Sequence, residues 1–93
     1  MNVLNIEQIM FNGVSHREAE VTELVQKGYT NKVIGEKLGI KEKTVKFHLT
    51  NIYKTFQVKS RSELLVKLFN LSPVDITTEP VNITTESNRN NMI

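Results

Sequence analysis

The sequence between Thr30 and Val58 combines a short helical pattern, a glycine and a longer basic helical pattern: T-N-K-V-I-G-E-K-L-G-I-K-E-K-T-V-K-F-H-L-T-N-I-Y-K-T-F-Q-V. Thr30 or Asn31 can cap a first helix that ends at Gly39, and a second helix spans about Glu42 to Phe56. Two helices joined by a short glycine turn are typical of a helix-turn-helix motif. The pattern therefore predicts an all-α domain arranged around this motif.

The longer helix has two distinct faces when its residues are rotated by about 100° each. Four apolar residues fall within about 60° of one another: Val45, Leu49, Ile52 and Phe56. They predict a stripe that faces the core. On the opposite face lie Lys43, Phe47, Thr50 and Lys54, with Lys46 at its edge. Cations can contact phosphates and base acceptors, and apolar atoms can contact thymine methyls, so this face suits a DNA major groove. For Phe47, packing against its neighbours remains the alternative.

The positive charge of the chain is concentrated in the same stretch. Residues 31–61 carry eight basic and two acidic side chains, whereas residues 1–30 and 62–93 each have a net charge of −2. A local excess of six positive charges is expected of a segment that binds a polyanion. Charge alone leaves a solvated basic face as an equal alternative.

Two further helices flank the motif. Ser15 and Glu18 form a capping-box pattern that begins one helix, and Gly28 can end it. The apolar face of that helix consists of Val21, Leu24 and Val25. Within the motif, Gly35 would cost about 1 kcal/mol in an exposed helix, so it predicts a close crossing by another helix.

The last helix begins at a second capping-box pattern, from Ser60 to Glu63. Leu64, Leu68 and Leu71 point one way. A second apolar set on this helix consists of Leu65, Val66 and Phe69. It widens the apolar arc to about 220°, which is more than one core contact requires. We interpret this set as a dimer surface, with burial under the N-terminal segment as the alternative.

The chain divides into three parts. Residues 1–13 form an N-terminal segment in which Asn5 can cap a short helix that ends before Gly13. Residues 14–71 form the helix-turn-helix domain. Residues 72–93 are rich in Ser, Thr and Asn and predict a flexible tail, since its near-repeat, V-D-I-T-T-E and V-N-I-T-T-E, has too few copies for a repeat fold.

Several classes of protein are disfavoured by the composition. The chain has no cysteine, no long apolar run and no basic signal-peptide region, so we expect a cytoplasmic protein without disulfides or a membrane partner. His16 and His48 are isolated, and neither an HExxH nor a GxxxxGK[ST] pattern occurs. We therefore expect no enzyme activity, no metal and no cofactor.

Four blocks of the sequence carry a resemblance to a known family. They are V-S-H-R-E-A-E-V, G-Y-T-N-K-V-I-G-E-K-L-G-I, K-T-V-K-F-H-L-T-N-I-Y and V-K-S-R-S-E-L. Their order and spacing, from about Val14 to Leu71, resemble the LuxR/GerE-type DNA-binding domain of bacterial transcription regulators. The resemblance implies a four-helix, helix-turn-helix domain whose third helix enters the major groove and whose fourth helix commonly forms a dimer.

The resemblance also implies roles for individual residues. Its base-facing positions correspond to Lys46, Phe47 and Thr50, and Lys43 joins them from the outer face of the same helix. Its phosphate contacts at the start of the second helix, where helix-terminal amides favour anions, correspond to Thr30, Asn31 and Lys32. Along the flank of the third helix, near the DNA backbone, lie Thr44, His48 and Asn51, and the lysines that complete the phosphate-binding set are Lys41 and Lys54.

This sequence departs from the family pattern at three points. Lys41 replaces the usual capping serine before the third helix, so that helix is expected to fray or to use another cap. Ala19 replaces a usual arginine. Gln57 replaces a glycine and must close the third helix in a conformation that glycine adopts more easily.

The sequence thus predicts a sequence-specific transcription regulator that binds a roughly two-fold-symmetric promoter site as a homodimer. The expected partners are double-stranded DNA, a second copy of the chain, and RNA polymerase or another regulator, with the protein at the nucleoid when bound to DNA. The chain has no room for an upstream receiver domain, so it resembles the stand-alone members unless it is a fragment. The alternative is a protein-interaction module that pairs with another regulator through the fourth helix.

Overall fold

The computed structural model of the protein describes residues 3–71, which form α-helices joined by short turns and contain no strand. The helices in this part of the chain are α1 (Ile6–Met10), α2 (His16–Gln26), α3 (Asn31–Leu38), α4 (Glu42–Phe56) and α5 (Arg61–Leu71). The predicted all-α fold is confirmed, with α2 to α5 as the four expected helices and α1 as the short N-terminal helix. The predicted tail, residues 72–93, lies outside the described residues.

The core lies where α2 and α4 meet, because α2 packs against each of the other four helices and α4 also packs against α3 and α5. From α2 it takes Ala19, Val21 and Val25, all fully buried. The predicted stripe of α4 is confirmed, since its buried residues are Val45, Leu49, Ile52 and Phe56. Burying this stripe fixes which side of α4 faces away from the domain.

Side-chain caps define the starts of α1, α2 and α3. Ser15 Oγ accepts a hydrogen bond from the Glu18 N–H, and the Glu18 carboxylate accepts one from the Ser15 N–H, both at 3.1 Å. Asn5 forms the same reciprocal cap with Gln8 at the start of α1. These caps confirm the predicted starts of α1 and α2, because they satisfy backbone amides that lack partners within the helix. At α3, the predicted choice between two caps falls on Thr30.

The start of α5 differs in one bond from the predicted capping box. Ser60 Oγ accepts from the Glu63 N–H at 3.2 Å, as expected. The Glu63 carboxylate, however, accepts from the Lys59 N–H at 2.8 Å and not from Ser60. The Glu63 carboxylate thus bonds the residue before the N-cap position, and this cap also holds the loop that precedes α5.

The N-terminal segment is fastened to the end of α2. Gln26 Oε1 accepts from the Leu4 N–H at 3.2 Å, and Gln26 Nε2 donates to the Leu4 carbonyl oxygen at 3.0 Å. Leu4 and Ile9 are buried in the core. Because α1 packs against α2, the described part of the N-terminal segment does not cover the surplus apolar residues of α5, which stay exposed.

The turn of the motif explains Gly35. A Cβ atom at this position would lie 2.6 Å from the Ile40 carbonyl oxygen. The close neighbour is therefore the backbone of the turn itself, and the expectation of a crossing helix was wrong. Gly39, in the left-handed region with φ of 71°, reverses the chain, and the Ile40 N–H then donates to the Gly35 carbonyl oxygen at 2.9 Å. The turn is thus folded tightly onto α3, which sets where α4 begins.

Candidate nucleic-acid interface

The C-terminal end of α4 behaves as the departure at Gln57 predicts, whereas the fraying or alternative cap expected at Lys41 is not seen. Lys41 occupies the N-cap position and provides no side-chain hydrogen bond to the helix. Gln57 ends the helix with φ of 60° and is the non-glycine residue with positive φ within residues 3–71. Its N–H and that of Val58 still close the helix by donating to the Lys54 and Tyr53 carbonyl oxygens. α4 therefore keeps its full length without a serine cap or a terminal glycine.

The face of α4 opposite the buried stripe is open to solvent. The predicted contact residues on this face, all exposed, are Lys43, Lys46, Phe47, Thr50 and Lys54. The Phe47 residue is 64% exposed, and its ring meets the His48 ring edge-on with centroids 6.1 Å apart. Lys46 Nζ lies 4.0 Å from a Glu42 carboxylate oxygen, with both side chains about half exposed or more. Such an exposed pair contributes little, so Lys46 remains available to a ligand.

Thr50 is tied to its own helix by one hydrogen bond. Its Oγ1 donates to the Lys46 carbonyl oxygen, one turn earlier, at 3.1 Å. This bond fixes the hydroxyl on the helix side of the threonine. Thr50 therefore has a defined orientation on the exposed face between Phe47 and Lys54.

The predicted flank residues, Thr44, His48 and Asn51, are half-buried along one edge of α4. His48 Nδ1 is buried and has no hydrogen-bond partner among residues 3–71. A proton on that nitrogen would be an unpaired buried donor, which is unfavourable. Without a proton it would be an unpaired buried acceptor, so Nδ1 is left unsatisfied in either tautomer.

The start of α3 brings together the other predicted phosphate contacts. Thr30 and Lys32 are exposed, and Asn31 is half-buried. With Glu42 and Arg61 they border a shallow hollow of about 370 Å³. Thr30 Oγ1 accepts from the Val33 N–H at 3.2 Å. Free N–H groups at a helix N-terminus, next to a lysine, favour an anion.

Arg61 belongs to this site although sequence reasoning assigned it no role. It is the first residue of α5, and its Nη1 donates to Asn31 Oδ1 at 3.0 Å. Its Nη2 donates to the Tyr29 carbonyl oxygen, just before the Thr30 cap. The signal available in the sequence was its place in the V-K-S-R-S-E-L block, but nothing local linked it to residues about 30 positions earlier.

The predicted dimer residues lie on the exposed side of α5. Leu65 is 38%, Val66 is 62% and Phe69 is 67% exposed. Leu64 and Leu68 are buried as expected, whereas Leu71 is 40% exposed and does not join them in the core. Leu71 ends the helix, where fewer neighbouring helices can cover it.

Residues 3–71 contain neither a candidate metal centre nor a candidate membrane span. No group of three or more His, Cys, Asp and Glu side chains in this range is arranged to hold a metal ion. None of its helices combines the length and apolar character needed to cross a membrane.

A tight glycine turn between α3 and α4, with a basic face on the second helix directed away from the core, defines a helix-turn-helix domain of the DNA-binding type. Residues 12–68 match the family described as bacterial regulatory proteins, luxR family. The match covers more than half of the chain, so the chain belongs to this family. The predicted resemblance is confirmed, and the chain carries a DNA-binding domain of the kind found in transcription regulators.

Individual relatives agree with this assignment. The chain is 44% identical over 54 residues to the transcriptional regulatory protein DegU of Brevibacillus brevis, covering 58% of this chain and 23% of the relative. It is 46% identical over 55 residues to the oxygen regulatory protein NreC of Staphylococcus carnosus, covering 59% of this chain and 25% of that protein. This chain therefore spans about a quarter of the length of these relatives. No solved structure gives a significant match.

Proposed function

We propose that the protein is a sequence-specific transcription regulator that binds a roughly two-fold-symmetric promoter site as a homodimer, with α4 in the major groove of DNA. The observation that carries this proposal is the division of α4 into a fully buried apolar stripe and an exposed basic face. Docking the buried stripe on the core leaves the exposed face as the surface that can approach a duplex.

The residues proposed to contact DNA bases lie in the middle of α4. Lys46 is exposed enough to reach guanine acceptors, and the exposed ring of Phe47 can contact a thymine methyl group. Thr50 and Lys43 extend the same face. These side chains occupy successive turns of one helix, which is the arrangement a recognition helix uses to contact adjacent base pairs.

The residues proposed to bind phosphates lie at the start of α3, at both ends of α4 and along the flank of α4. Thr30, Asn31 and Lys32 lie at the N-terminus of α3. The exposed ends of α4 contribute Lys41 and Lys54. The half-buried residues of the flank, Thr44, His48 and Asn51, complete the set. Such contacts fix the position of the protein on the duplex, and base contacts then select the sequence.

The DNA-binding proposal is tested by selecting bound fragments from genomic DNA and measuring fluorescence anisotropy on a selected fragment and its scrambled control. Substituting Lys46→Ala should weaken specific binding by about 1–3 kcal/mol. It should also relax selectivity at the base that Lys46 reads. The matched control is Arg17→Ala, which removes the same charge from α2, where Arg17 is paired with Glu20 at 3.3 Å. Equal, weak binding of the wild type to both DNAs would refute the proposal.

Dimerisation is proposed through Leu65, Val66 and Phe69 because this exposed apolar set lies on one helix. Phe69→Glu should raise the dimer dissociation constant at least about tenfold, since an ionised carboxylate would have to be desolvated in the interface. The matched control is Phe11→Glu, at a phenylalanine that is 92% exposed at the end of α1. Sedimentation equilibrium of both variants measures the difference, and equal dissociation constants would remove α5 from the interface.

The same exposed set also supports the second candidate function, pairing with another regulator through α5. RNA polymerase is the other protein partner to test. Pull-downs with and without nuclease separate these cases, because a directly bound protein survives digestion of the DNA. A regulator that is retained after nuclease and lost with Phe69→Glu would favour the interaction module.

A further inference from the structure

The polypeptide immediately before α3 is held by Arg61, which is about 30 positions later in the chain. Its guanidinium bonds both sides of the Thr30 cap: the Tyr29 carbonyl oxygen precedes the cap, and the Asn31 side chain follows it. Arg61 is itself half-buried at the first position of α5. The start of α3 is therefore fixed by a charged group that belongs to neither helix of the motif.

The contact with Arg61 determines which way the Asn31 amide faces. A guanidinium has five N–H donors and no acceptor, so only the oxygen of the amide can face it. The 3.0 Å bond from Nη1 to Asn31 Oδ1 therefore directs the two N–H donors of Nδ2 away from Arg61. The Asn31 amide, which could otherwise present either its oxygen or its NH₂ group, is thus held with its N–H donors free to bind an anion.

The contact with Tyr29 removes an obstacle to the same anion. A backbone carbonyl oxygen beside a helix N-terminus carries partial negative charge and would repel a phosphate. Nη2 of Arg61 engages this oxygen. The charge-assisted bond compensates it. Arg61 borders the same shallow hollow as Thr30, Asn31 and Lys32, and the acidic residue at its edge, Glu42, lies 4.0 Å from Lys46 Nζ.

We propose that Arg61 is a positioning residue for DNA binding, which sets Asn31 as a phosphate donor and compensates the partial negative charge of the Tyr29 carbonyl oxygen beside the phosphate. This inference rests on the proposed DNA-binding function. The role requires the planar fork of arginine, since a lysine ammonium keeps the charge but has no rigid pair of donors for the two acceptors. Arg61→Lys thus separates positioning from charge.

The test measures DNA affinity at several salt concentrations for wild type, Arg61→Lys, Asn31→Ala and the double variant. Arg61→Lys should lower the affinity about tenfold, the loss expected for one hydrogen bond to a charged group. The slope of log affinity against log salt should stay the same, because no charge is removed. Asn31→Ala should cost the wild type about tenfold but the Arg61→Lys variant less than about threefold, since the second change removes a group already misplaced.

A second measurement uses the free protein. In two-dimensional ¹H–¹⁵N spectra, Arg61→Lys should shift the side-chain amide signals of Asn31 and leave those of Asn51 in place. Unshifted Asn31 signals, or wild-type DNA affinity of Arg61→Lys, would overturn the positioning role while the proposed function stands. If the wild type binds no DNA, the proposed function fails and the inference fails with it.

Discussion

Replacing Gly35 with alanine tests the turn that joins α3 to α4. Judged by helix propensity alone, this substitution should stabilise the domain by about 1 kcal/mol, because glycine is the weaker helix former. The structure predicts the opposite sign. The added Cβ would lie 2.6 Å from the Ile40 carbonyl oxygen and 3.4 Å from the Glu42 nitrogen. Both atoms belong to the backbone, so neither can rotate away as a side chain would.

The size of the effect follows from what must move. Relieving the contact costs about 1–3 kcal/mol by analogy with overpacked cores. Moving Ile40 also weakens the 2.9 Å bond from its N–H to the Gly35 carbonyl oxygen, at about 1 kcal/mol. Subtracting the propensity gain of about 1 kcal/mol leaves a net loss of about 2 kcal/mol. For a domain of this size, that loss lowers the melting temperature by roughly 10 °C.

Thermal and urea unfolding measure the stability, and anisotropy on a bound DNA fragment, well below the melting temperature, measures the effect on α4. We expect weaker DNA binding as well, because the turn sets where α4 begins. The control is Glu36→Ala, at an exposed position of α3, which should change stability by less than about 0.5 kcal/mol. A Gly35→Ala protein as stable as the wild type would refute the steric account of the turn.

Three further predictions concern stability. Gln57→Gly should stabilise the domain by about 0.5–1 kcal/mol. Gln57 has a φ of 60°, which costs a non-glycine residue about 1–2 kcal/mol, and the flexibility of glycine in the unfolded chain offsets part of that gain. Gln57→Ala is the control, and equal melting temperatures of Gln57→Gly and the wild type would contradict the argument. Thr30→Ala should destabilise by about 1 kcal/mol in urea titrations because it removes the cap on the Val33 N–H; an unchanged midpoint would mean that water replaces the cap. Gln26→Ala should speed hydrogen exchange of the Leu4 amide, which loses its acceptor, while amides of α4 stay protected. An unchanged exchange rate of the Leu4 amide would show that the segment is not held by this side chain.

The sequence predicted the features that depend on neighbouring residues. The caps at Ser15 and Thr30 follow from short hydrogen bonds within one turn of helix, and the stripe of α4 follows from helical periodicity. Gln57 was identified as a strained helix end because the family pattern has glycine there. Each of these features involves residues close together in the chain.

Features that depend on tertiary contacts were harder to predict. Gly35 was correctly identified as a point of close approach, but its neighbour, the Ile40 carbonyl oxygen, could be known only once the turn was folded. Arg61 bonds residues about 30 positions away, and no periodicity reports such a contact. Leu71 matches the spacing of Leu64 and Leu68 but lies beyond the reach of the core.

On the proposed function, the hydrogen bond from Thr50 to the Lys46 carbonyl oxygen would also limit which bases this threonine recognises in DNA. While the hydroxyl proton stays in that bond, the oxygen can only accept from a base. In the major groove the amino groups of adenine and cytosine are donors, whereas guanine O6 and thymine O4 are acceptors. Thr50 would then favour adenine or cytosine through its oxygen, or thymine through its methyl group, and would disfavour guanine.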